Sequence, residues 1–84
     1  MVVVKLKPGD LVRLHPHFET SVSLTKLPGI LSDENPVVAQ IPPLTVALVI
    51  AREEQTMPGQ DSELLVLVNG HYGWQSVRIF RGVE

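Results

Sequence analysis

The chain has 84 residues, no cysteine and a formal net charge of −2. That length allows one domain, which buries only about 60–65% of its unfolded surface. Without cysteine, neither a disulfide nor a thiolate metal site reinforces it. Charged residues make up 19% and apolar residues 44%, so some apolar surface is left over for contacts. Arg13, Arg52, Arg78 and Arg81 are scattered among acids, which weighs against a nucleic-acid partner.

Residues 1–7 alternate weakly and read as an edge strand or an arm. Pro8-Gly9-Asp10 is a turn signal, and the β-type run 11–14 after it reads as a strand. Residues 15–44 hold five of the seven prolines, at 16, 28, 36, 42 and 43, and no helical period survives these breaks. They read as a long Pro-rich excursion with extended pieces near 21–26 and 37–41. Its apolar content argues against disorder, so it is expected to pack on the domain or on a neighbour.

Residues 45–52 form the clearest strand, apolar on both faces and so expected to be covered on both. Residues 53–62 read as a polar, exposed loop centred on Pro58-Gly59. A second apolar run, 63–68, leads into Asn69-Gly70, the strongest short hairpin signal, because both residues tolerate positive φ. Tyr72-Gly73-Trp74 begins the return strand, 75–77 a short turn, and 78–81 a last strand. About five short strands result, and closing them into a barrel would remove exposed edges.

The N-terminus has no apolar segment of signal-peptide length. The apolar stretch 37–51 is interrupted by Gln40, Pro42 and Pro43 and is too short for a membrane helix. The expected location is a virion or the cytoplasm, without secretion by a signal peptide and without a membrane partner.

Lys7-Pro8-Gly9-Asp10-Leu11-Val12-Arg13-Leu14 at one end, and Leu65 to Gly70 followed by Gly73-Trp74 and Ile79-Phe80-Arg81 at the other, resemble the Src-homology-3-like small β-barrels of phage proteins and bacterial adaptor domains. The resemblance covers the two ends, about half the chain. It implies an all-β, five-stranded barrel with a long insertion after the first strand, the whole of 1–84 forming one domain.

The chemistry-bearing residues are few. His15, His17 and Glu19 are two apart, so an extended segment would point them to one face where a metal could sit; an ordinary polar loop is the plainer reading, and no cofactor is expected. Serines 21, 23, 32, 62 and 76 stand in no elbow or triad setting. Asp33-Glu34 and Glu53-Glu54 are adjacent acids, which face opposite sides of a strand, and no glycine-rich phosphate loop occurs. An enzyme is not expected.

Tyr72 and Trp74 share one face of a regular strand, and such residues are enriched at contact hot spots; Trp74 also reads as a core plug beside the hairpin. Arg78 and Arg81 could flank them or merely solvate the surface. The partner-binding candidates are therefore Tyr72, Trp74 and Arg78, together with Phe18, Leu24, Leu27 and Ile30 of the excursion. The expected function is a structural or assembly module acting through protein contacts, with itself or another chain, in a phage virion or another large complex. The alternative is an adaptor that binds a peptide or nucleic acid through the Tyr72, Trp74 and Arg78 surface.

Overall fold

The structure is a computed structural model and describes residues 5–29, 31–54 and 61–83. These residues form an all-β fold with a short 3₁₀ turn. The elements in order are β1 (Leu11–Leu14), β2 (Val22–Thr25), β3 (Val37–Ile41), β4 (Ala47–Glu53), β5 (Glu63–Val68), β6 (His71–Ser76), the 3₁₀ turn Val77–Ile79, and β7 (Phe80–Gly82). All seven strands join one antiparallel sheet in the order β3-β2-β6-β5-β4-β1-β7.

The expected strand number and closure need correction. Among the described residues there are seven strands, not five, because the two extended pieces of the excursion pair with each other as the β2–β3 hairpin. The sheet is also not closed: the hairpin adds to β6 and leaves β3 as one edge, with β7 as the other. Residues 5–7 are an arm and not a strand, and β7 begins two residues later than expected because the 3₁₀ turn occupies 77–79. Residues 55–60 of the expected polar loop lie outside the described residues.

The turns follow from local chemistry. Asn69 and Gly70 both take positive φ, 50° and 82°, as a type I′ hairpin requires. Gly9 takes φ 95° in the turn before β1, where the Asp10 amide donates to the Lys7 carbonyl at 3.1 Å. Ser76 caps the 3₁₀ turn by accepting from the Arg78 amide.

Strand alternation sets the core. In β5, Leu64, Val66 and Val68 are buried while Glu63, Leu65 and Leu67 are only partly so. Val12 and Leu14 from β1, Ala47 and Val49 from β4, Phe80 from β7 and Leu6 from the arm join them. The hairpin contributes Leu24 and Ile41, both fully buried. Leu24 lies against Gly73, where an added Cβ would overlap it; glycine on β6 is what lets β2 come this close. The excursion is thus part of the core and not an appended loop.

β4 carries a bulge: Val49 faces Val66, Ala51 faces Leu65, and Ile50 between them is the extra residue. The expected cover on both faces of β4 is not found. Ala47 and Val49 are buried, but Leu48 is only partly covered and Ile50 is exposed.

Candidate functional site

Two surfaces hold most of the exposed apolar side chains among the described residues, and the first is the hairpin. β2 and β3 are joined by a loop that folds back on itself. The Lys26 amide donates to the Pro36 carbonyl at 3.0 Å. Buried Asn35 accepts from the Leu27 amide at 2.6 Å and donates to the Leu27 carbonyl at 2.8 Å, and the Thr25 hydroxyl donates to the same carbonyl at 2.8 Å. The loop leaves Leu27 and Leu31 exposed, as are Val37 and Val38 at the start of the edge strand β3. Leu44, just past β3, is 76% exposed and holds φ 66° without being glycine.

The second surface is the outer face of the sheet. The pairing Leu11↔Leu48, Leu48↔Leu67 and Leu67↔Tyr72 lines up four apolar side chains across β1, β4, β5 and β6. A second row two residues along holds Ala51, Leu65 and Trp74, with the bulge residue Ile50 beside it. Tyr72, Leu11 and Ile50 are exposed, and Leu48, Leu65, Leu67 and Trp74 are partly exposed. Beside Leu11, an open pocket of about 400 Å³ lies between the arm and β7, lined by Leu6, Phe80 and Val83 and by Lys7, Asp10 and Arg81.

The expected partner-binding residues divide between these surfaces and the core. Tyr72 and Trp74 share the outer face, as their spacing requires. Trp74 is not a core plug: Gly73 is the residue of that trio facing inward. Arg78 is exposed on the 3₁₀ turn, with its guanidinium 3.5 Å from Asp61. Leu27 is exposed at the hairpin loop. Leu24 is a core residue with no exposed surface and so cannot meet a partner. Phe18 packs partly buried against the core, and Ile30 lies outside the described residues. His15, His17 and Phe18 stack in series, with ring centroids 4.8 and 4.6 Å apart. Among the described residues no group of three metal-ligating side chains is brought together.

Charges cluster around the sheet margins. Glu54 joins Lys5 at 2.9 Å, the Arg52 guanidinium and the Ser62 hydroxyl, and these bonds, Arg52 first, lower its pKa to about 2. Arg52 also donates to the Leu6 carbonyl at 2.9 Å, tying the arm to β4. The Lys7 amide donates to Asp10 and holds its carboxyl below the usual range. Glu63 is pushed up by partial burial, against a hydrogen bond from the Gly29 amide, with Glu53 opposite it adding repulsion.

The residues missed from sequence are Leu31, Val37, Val38 and Leu44 at the hairpin, and Leu11, Leu48, Ile50, Leu65 and Leu67 on the outer face. A signal existed for the latter: a strand apolar on both faces needs cover on both, and here the described residues supply cover for one. The chain matches no family model, no curated protein and no solved structure.

Proposed function

We propose that this chain is a non-enzymatic assembly module that joins a larger complex by docking its β2–β3 hairpin on another protein. The observation that carries the reading is the hairpin itself. Leu24 and Ile41 anchor it in the core, while Leu27, Leu31, Val37 and Val38 face away from it. Exposed apolar groups held on an anchored element suit a contact surface, because little ordering entropy remains to be lost on binding.

The same proposal places the sheet among Src-homology-3-like arrangements, with the hairpin as the elaborated first loop. Its supports are the tight Asn69-Gly70 hairpin, the 3₁₀ turn after β6, and a last strand that pairs with β1 while β1 also pairs with β4. The resemblance to barrels of phage proteins makes a virion the first assembly to search.

The test is cross-linking of a tagged chain in its native cells, with sizing of the product. A stoichiometric protein partner is expected, and its loss with Leu27→Ser/Leu31→Ser/Val38→Lys at unchanged circular dichroism. A chain that stays monomeric in light scattering and brings no stoichiometric protein from those cells would sink the reading.

A further inference from the structure

The outer face carries a charge pattern as well as an apolar one. Arg13 and Arg81 stand directly opposite each other across β1 and β7. Neither makes an ion pair or side-chain hydrogen bond with a described residue. Like charges directly opposite on a sheet are unfavourable, so this pair is a local cost with no compensating ion pair among the described residues. At the other end of the same face, Glu53 and Glu63 stand directly opposite each other across β4 and β5, and Glu53 likewise has no cationic partner among the described residues.

Register fixes the relation between these two poles. Arg13 is two residues from Leu11 along β1, on the same face. Glu63 is four residues from Leu67 along β5, in the opposite direction from the shared Leu11–Leu48–Leu67 row. At about 3.4 Å per residue the poles are roughly 20 Å apart along the strands. Between them lie the apolar side chains of the two rows, and the midpoint falls near Leu11, Leu48 and Ile50.

We propose that this outer face binds a second copy of the chain about a two-fold axis passing near Leu48 and Ile50. A two-fold places each surface patch against its own counterpart reversed. The Arg13–Arg81 pole of one copy then meets the Glu53–Glu63 pole of the other, twice, while Leu11, Leu48 and Ile50 cover one another. The occupant is identified by the face being its own electrostatic complement after half a turn. A uniformly acidic or basic partner would match one pole and repel the other. The Glu63 end of this surface adjoins the hairpin loop, whose Gly29 amide bonds its carboxylate.

A charge-exchange experiment tests it by sedimentation and light scattering over a concentration series. Wild type is expected to form a dimer that weakens with salt. Arg13→Glu/Arg81→Glu leaves both poles acidic. Glu53→Lys/Glu63→Gln leaves both basic, and glutamine keeps an acceptor for the Gly29 amide. Each variant alone is expected to raise the dissociation constant at least about tenfold, and an equimolar mixture of the two to recover a heterodimer. Ile50→Lys, beside the axis, should abolish the dimer at unchanged circular dichroism. A wild type monomeric at every concentration overturns the proposal, as does a dimer indifferent to these variants. A complex lost only with the hairpin substitutions overturns the face and leaves the hairpin reading standing.

Discussion

The β4–β5–β6 meander and the β2–β3 hairpin are held by different means. The meander is a long ladder interrupted at the Ile50 bulge of β4: β5 and β6 pair residue for residue from Glu63↔Ser76 to Val68↔His71, with Asn69-Gly70 setting the register. The hairpin meets the rest of the sheet at one paired position, Thr25↔Trp74, and through the Gln75 side chain, which donates to the Ser23 carbonyl at 3.0 Å. It compensates through its side chains, with Leu24 and Ile41 buried completely. Backbone pairing organises one region and side-chain burial fastens the other, so the two should respond differently to the same kind of damage.

The sharpest way to expose that difference is Leu24→Ala. A cavity beneath the hairpin should cost about 2–5 kcal/mol, read by urea unfolding. Amide exchange should rise first in β2 and β3 while β5 and β6 stay protected; uniform loss across all strands would show that the hairpin and meander unfold as one unit. Gly73→Ala approaches the same contact from the meander side. Its methyl would force Leu24 outward, at about 1–3 kcal/mol, and the effect should shrink when Leu24 is already alanine. Asn35→Ala leaves the Leu27 amide without its acceptor while the Leu27 carbonyl keeps the Thr25 hydroxyl, at about 1–3 kcal/mol, and should disturb the hairpin loop alone.

The smallest effects are electrostatic and of opposite sign. Glu54 is lowered to about 2, so its stabilising bonds are fully present above its ordinary value of 4.5. They are lost as pH falls from there toward 2, which loosens the Lys5–Glu54 link while Arg52 still holds the Leu6 carbonyl. Glu63 is raised above 4.5, so the fold favours its protonated form, and that contribution is lost as pH rises through its folded pKa. Glu63→Gln should therefore gain about 0.2–1 kcal/mol at pH 7 in monomeric protein, and nothing at a pH where Glu63 is already protonated. Thermal unfolding of both proteins at pH 3 and pH 7 checks both signs.

What was legible in the sequence was local. The turns at 8–10 and 69–70, the strand types and even the two extended pieces of the excursion follow from residue chemistry and periodicity. What was not legible required register. That Leu24 packs on Gly73, 49 positions away, cannot be read from either segment, and so Leu24 looked as available to a partner as Leu27. Trp74 looked like a plug by size, but its neighbour Gly73 faces inward because Leu24 takes the space. Tyr72 and Trp74 could be placed on one face by their spacing. Their continuation through Leu67 and Leu48 to Leu11 crosses three separate strand pairings, and only the assembled sheet aligns them.

The prolines flanking β3 bear on how such a molecule avoids polymerising. An unpaired strand edge is a template for filaments, and β3 is one, with two exposed valines. Pro36 immediately precedes it and Pro42-Pro43 immediately follow it, and none of these has an amide hydrogen to extend a ladder. The exposed template is therefore five residues long and stops abruptly at both ends. Growth by adding strand to strand is starved of length, whereas a contact through the faces of two sheets ends with the second molecule.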